Sequence, residues 1–216
     1  MSDACALHAV QYASAAHQEG SAVAGMWLFL ATEMLFFGGL VLAWIYARTM
    51  NLDGFDAGAG ATALWIGIVN TVLLLTSSFV FSLGALFARA GDNRRVLWCC
   101  LGALVLALGF LALKFGLEWH DDIRKHLFPG DPGFHFHGRL EGGARLFFVF
   151  YFVATGLHGV HMLAGIVLVG IVAWRAHRGA FSPRYHTPVT VVGLYWSFVD
   201  AVWLILFPLI YLIGRR

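Results

Sequence analysis

The chain has 216 residues, of which 60% are hydrophobic and only 12% charged, with a mean hydropathy of +0.76. Soluble domains are about half apolar and a quarter charged, and one small core cannot bury so much apolar surface; the composition excludes a soluble domain and predicts an integral membrane protein. Fourteen basic against twelve acidic residues give a net charge of +2, which excludes the basic footprint of a nucleic-acid binder.

In chain order, residues 1–19 read as a polar amino-terminal tail that carries Asp3, His8, His17 and Glu19 but neither Lys nor Arg. It lacks the basic and apolar regions of a cleavable signal peptide, so the first apolar run is expected to stay in the membrane as the insertion signal. Residues 20–216 are predicted to form one all-α, polytopic membrane bundle. Its five spans lie at about 22–48, 62–88, 96–118, 145–174 and 188–213, each near or above the roughly 20 apolar residues that cross a bilayer.

Spans two and three are joined by the basic turn Arg89–Arg95, and spans four and five by Arg175–His186, with Arg175, Arg178 and Arg184. The longer connection from Trp119 to Gly143 is mixed in charge and is read as a loop. The two sides carry similar Lys/Arg totals, six against seven. Density in the short loops is the better guide and places the amino terminus inside and the carboxyl terminus outside.

Glu33 lies almost midway along span one, roughly 20 Å of helix from either end, beyond the reach of a snorkelling side chain. Asp200 is as central in span five, and His158 and His161 straddle the middle of span four; at i,i+3 spacing they are expected to share a face. Asn70, Thr71, Thr76, Ser77 and Ser78 make the centre of span two polar. An ionised carboxylate at this depth costs about 2.5–3.5 kcal/mol, so these groups either tie helices together by hydrogen bonds or form a proton or substrate path. Gly102, Gly109 and Gly116, the pair Gly38 and Gly39, and Gly156, Gly159 and Gly165 mark places where helices can approach closely. The aromatics around Glu33 (Trp27, Phe29, Phe36, Phe37, Trp44) read as packing and lipid-facing residues, with Phe36 and Phe37 deeper than an interfacial belt.

A chain whose intramembrane histidines all sit on one helix cannot grip a haem from both faces. No Glu-x-x-His pair is present for a di-iron bundle, and Cys99 and Cys100 are helical neighbours suited to packing rather than copper. Loop histidines His120, His126, His135 and His137 form only a weak metal-binding tract. No nucleophile elbow, P-loop or dinucleotide fingerprint occurs. No catalytic residue, metal or cofactor is therefore expected on this chain.

Three motifs resemble those of haem-copper oxidase subunit III: Phe29-Leu-Ala-Thr-Glu-Met-Leu-Phe-Phe37, Thr155-Gly-Leu-His-Gly-Val-His161, and Tyr195-Trp-Ser-Phe-Val-Asp-Ala-Val-Trp203. They fall in family order on the first, fourth and last spans, and the five-span form with its Phe-Pro-Leu-Ile-Tyr ending is similar to that of bacterial caa-type cytochrome c oxidases. The resemblance implies a non-catalytic subunit that packs on subunit I, with haem and copper in the partner subunits I and II, and small or supercomplex subunits as further partners. It also implies bound phospholipid, in a cleft between spans one and two and the other three, and support of proton uptake in a bacterial inner membrane. On that resemblance Glu33, His158, His161 and Asp200 are the intramembrane polar residues. Arg175, whose fork of donors suits a phosphate at the headgroup layer, and Trp27 are the lipid contacts. Ser197 departs from the family's usual His. The alternatives are a quinol oxidase or nitric oxide reductase subunit, and a small proton-coupled transporter, which would need inverted repeats and broken helices.

Overall fold

The computed structural model describes residues 15–136 and 140–215. Among these residues all regular structure is helical, with a lone bridge between Ser182 and Tyr185 in place of any strand. Five helices are long and apolar enough to cross a membrane. Most of the tail, with Cys5 and His8, and the loop residue His137 lie outside the described residues.

Helix α1 (Ala15–Met50) is span one. A short helix α2 (Leu52–Ala61) lies before span two, which is α3 (Leu64–Arg89). Span three is α4 (Asn93–Leu111), started by the Asp92 side chain accepting from the Arg95 N–H at 3.1 Å. A side-chain acceptor of this kind satisfies one of the unpaired amides of a first turn. The helix does not stop at Glu118: it widens into a π-helical stretch over Ala112–Glu118 and continues as α5 (Trp119–Arg124). The expected loop therefore starts six residues later than its composition indicated, at Lys125 rather than Trp119. Span four is α6 (Glu141–His177), and span five is α7 (Thr187–Phe207), followed by a second π-helical turn at Pro208–Leu212. Pro208 lacks an amide proton, which removes one bond of the regular ladder.

The two halves of the expected cleft do not form as such. Helix α3 packs most heavily on α4 and then on α7, whereas α1 lies against α7 and α6. Spans one and two do not stand together against the other three. The most apolar stretch of α1 is only 17% buried, against 56% for span five, so span one is the peripheral element and span five the axle.

Glycine permits the closest approach between α2 and α6, where a Cβ on Gly54 would stand 2.6 Å from the Gly143 Cα. Gly165 likewise leaves room for the Trp196 ring, 2.8 Å from where its Cβ would be. The expected glycine stripe of span three does less. Gly102 and Gly109 meet Val80 and Leu73 at ordinary van der Waals distances, and among the described residues nothing approaches Gly116, Gly38 or Gly39. The tight α3–α4 approach is at Gly84 on the facing helix, where a Cβ would stand 2.9 Å from the Cys99 Cβ, and Ser77 adds a hydroxyl that donates to the Ala103 carbonyl at 3.1 Å.

The two basic turns are tied together: Asn93 donates to the Phe181 carbonyl at 2.7 Å and accepts from the Phe181 N–H at 3.0 Å. At the opposite end, Arg48 pairs with Asp56 at 2.7 Å, and Arg215 donates to the carbonyls of Gly60 and Thr62.

Candidate functional site

Glu33 and His161 meet across the α1–α6 seam, with Oε2 3.2 Å from Nε2. The other ring nitrogen, Nδ1, is 2.8 Å from the Leu157 carbonyl. A carbonyl only accepts, so Nδ1 carries a proton. The Nε2–Oε2 contact then needs one further proton, on the carboxyl or on the ring. With the proton on the carboxyl both groups are neutral; with it on the ring they form an ion pair. Either way the couple is net neutral, which resolves the cost of a lone acid at this depth.

The pair is not sealed. The side chains of His161 and Glu33 keep 17% and 21% of their surface. Phe37 closes one side, edge-on to the His161 ring with centroids 5.2 Å apart, and Phe198 and Phe36 pack on Phe37 in turn. Tyr195 donates to the His161 carbonyl at 3.0 Å. Both deep phenylalanines thus have a place: Phe37 is buried beside the imidazole, and Phe36 is half exposed outside it.

His158 does not share this site. Three residues along a helix of 3.6 residues per turn leave two side chains 60° apart, and here that rotation separates two interfaces. His158 is fully buried between Phe110 and Trp203, at centroid distances of 5.6 and 5.2 Å, and neither ring nitrogen has a partner among the described residues. The expectation of a common histidine face is corrected accordingly. Asp200 is also buried and apart from Glu33; Ser78 faces it without completing a hydrogen bond, so neither carboxylate oxygen is partnered among the described residues. Asn70 is fully buried with its amide similarly unpartnered, while its neighbour Thr71 accepts from the Trp203 indole N–H at 3.0 Å. Ser197 is exposed beside Phe81, Ser82 and Thr190, away from the Glu33 pair.

An apolar groove of about 430 Å³ opens between α1 and α7 one turn beyond Glu33, lined by Met34, Phe37, Gly38, Val41, Phe198 and Ile205 among others. At the basic end a wider pocket of about 530 Å³ lies between the starts of α1 and α7, with Glu19, Arg184, Tyr185 and His186 on its wall. Arg175 stands near this end. It donates to the Tyr185 hydroxyl at 2.9 Å and lies over the Phe181 and Tyr185 rings at 5.9 and 5.5 Å. Trp27 is 54% exposed on α1.

Among the loop histidines, His120 and His135 are not buried, and His126, in the left-handed region at φ 56°, pairs with Asp131 at 2.9 Å. The Gly133 N–H at 2.7 Å, and then His126, hold the Asp131 carboxyl below its ordinary range.

A second polar site escaped sequence reasoning. Lys114, Glu118 and Asp122 are buried, with 0, 1 and 2% of their surface exposed. Lys114 Nζ donates to the hydroxyls of Tyr151 at 3.0 Å and Tyr211 at 2.7 Å, and pairs with Glu118 Oε2 at 3.0 Å. Tyr211 donates to Glu118 Oε1 at 2.5 Å. Tyr151 Oη lies 3.0 Å from Glu118 Oε1 and 2.7 Å from Asp122 Oδ2. The ammonium also faces the Tyr151 and Trp203 rings, 4.3 and 5.8 Å from their centroids. The two π-helical stretches supply Lys114, Glu118 and Tyr211; π turns of this kind often sit at functional sites. The signal was the i,i+4,i+8 spacing of a base and two acids continuing an apolar run. Lys114 is also the one basic residue that belongs to neither set of loop charges.

Comparison with known proteins covers the parts of the chain that carry both sites. Residues 143–215 match the family model of cytochrome c oxidase subunit III. The chain is 31% identical over 202 residues to a cytochrome c oxidase subunit 3 of Thermostichus vulcanus, covering 89% of this chain and 88% of that one. It is 32% identical over 191 residues to the Synechocystis subunit of the same name, covering 88% and 74% of the two chains. It is 28% identical over 199 residues to a cytochrome bo(3) ubiquinol oxidase subunit 3 of Pseudomonas putida, covering 92% and 89%. With five membrane-length helices, three motifs in register and relatives matched over most of their length, this multi-pass membrane protein belongs to the subunit III family of the haem-copper oxidases.

Proposed function

We propose that the chain is a non-catalytic core subunit of a cytochrome c oxidase, one that packs on subunit I, holds phospholipid and supports proton uptake during dioxygen reduction. The observation that carries this reading is the Glu33–His161 couple, about a fifth open beside an apolar groove. A couple that must hold one proton between two atoms, at membrane depth and at the edge of the bundle, is suited to exchanging protons with a neighbouring subunit rather than to bond chemistry. The groove suits an acyl chain, and the donors of Arg175 and Arg184 suit a lipid phosphate at the basic end. The sparsely buried face of α1, including Trp27, leaves surface for lipid or subunit I. Haem and copper reside in the partner subunits. The complex sits in the bacterial inner membrane, the amino terminus inside.

The test is purification of the particle from native membranes. Subunits I and II should co-purify with haem bands, and the chain released from them should show no visible absorption. A bound redox group on the isolated polypeptide would overturn the reading. A quinol oxidase subunit is the second reading, favoured by the Pseudomonas putida relative; a copper motif in the co-purified subunit II would decide for cytochrome c.

A further inference from the structure

The cluster at the carboxyl-terminal end of span three has a proton count that its geometry fixes. Three groups surround the Tyr151 hydroxyl oxygen: Lys114 Nζ, Glu118 Oε1 and Asp122 Oδ2, at 3.0, 3.0 and 2.7 Å. Lysine only donates, and a tyrosine hydroxyl carries a single proton. Two carboxyl oxygens thus face one available proton, and in a sealed site a contact between oxygens without a proton is repulsive. One of the carboxyls has to bring its own.

The surroundings distinguish the two acids. Glu118 is held as an anion, by the Lys114 ion pair on Oε2 and by the Tyr211 hydroxyl at 2.5 Å on Oε1. Asp122 has Tyr151 as its close partner. The other charges near it are Lys114 and Glu118, already paired with each other, and Lys125, whose ammonium is engaged by Asp121 at 2.8 Å on the surface.

We infer that Asp122 is a buried proton-holding site: protonated in this arrangement, it donates to the Tyr151 oxygen, and the Tyr151 hydroxyl donates to Glu118. Every contact around Tyr151 then contains one proton, and the cluster is neutral, with Lys114 balanced by Glu118. The ligand of the site is a proton. Asp122 stands on α5 beside the exposed Asp121 and Arg124, at the carboxyl-terminal end of span three and away from the Glu33 couple. Losing the proton would leave two anions against one cation in a sealed pocket, so the site's contribution to holding the subunit together is present while Asp122 is protonated and is lost as rising pH ionises it.

The experiment uses the intact oxidase, with this subunit replaced by Asp122→Asn or Glu118→Gln, and reads infrared spectra and subunit retention against pH. An asparagine amide can donate to Tyr151 as the protonated acid does. Asp122→Asn should therefore remove one protonated-carboxyl band, retain the subunit, and abolish the loss of retention with rising pH that is expected of the wild type. Glu118→Gln strands Lys114 and should release the subunit. Loss of a carboxylate band rather than a protonated one in Asp122→Asn would overturn the inference, as would an Asp122→Asn subunit that dissociates while Glu118→Gln is retained.

Discussion

The Glu33 couple and the Lys114 cluster solve the same problem in opposite ways. Both place ionisable side chains in an apolar bundle, where an unpaired charge costs several kcal/mol. The cluster surrounds its charges with five side chains from three spans and exposes almost nothing. The couple uses one carboxyl and one imidazole at the least buried helix and keeps about a fifth of its surface open. A sealed network fixes helices; an open pair between a peripheral helix and the bundle can exchange protons or respond to lipid. The difference lies in where the helices sit, since both sites are built from ordinary acid–base spacing.

Breaking the sealed site has the largest expected effect. Glu118→Ala leaves an uncompensated buried ammonium, a change that costs about 3–5 kcal/mol when one member of a buried pair is removed; thermal release of the subunit from the complex measures it. Gly54→Ala comes next. Its Cβ would meet Gly143 backbone 2.6 Å away, an overpacking worth about 1–3 kcal/mol, and the melting temperature of the complex should fall. Glu33→Gln sharpens the contrast, because the amide still donates to His161 while the shared proton is lost. Subunit retention should change by less than about 1 kcal/mol, within the range of one hydrogen bond, while turnover at alkaline pH declines. Equal loss of retention in Glu33→Gln and Glu118→Ala would erase the distinction between the two sites.

Arg175→Ala should lower co-purified phospholipid and shorten the enzyme's active life, with little effect on assembly; lipid phosphorus per complex checks it. The smallest effect is at Asp131, whose carboxyl is held below its ordinary range by the Gly133 amide and then His126. A group depressed in the folded state contributes stability above its unfolded value, about 3.9 for an aspartate, and loses it as the pH falls through the folded value. The protection of the Gly133 amide, its hydrogen exchange taken relative to the intrinsic rate at each pH, should therefore fall only under acid and stay constant across neutral pH.

Much of the Glu33 site is legible in the amino-acid sequence. A lone acid at the centre of one apolar run and a histidine pair at the centre of another are legible as groups that either tie helices together or form a path, and His161 does meet Glu33. That His158 turns away is not legible, because i,i+3 residues lie 60° apart and only the positions of α4 and α7 decide which interface each one enters. The Lys114 cluster escapes a reading by composition because its acids look like the start of a polar loop, whereas the helix continues through a π-helical stretch and turns Glu118 and Asp122 inward. The Tyr185 hydroxyl beside Arg175 is likewise a product of the fold, since the loop between them has to turn back for the two to meet.

The sequence alone determined the number of spans, their approximate ends and the family, because twenty-residue apolar runs and motif order are properties of the chain itself. Only the tertiary structure decided that span one is peripheral, that spans one and two part company, and that a lysine, two acids and two tyrosines from distant segments share one pocket. Such groupings depend on helix rotation and neighbour choice, which arise from side-chain packing between segments far apart in the chain.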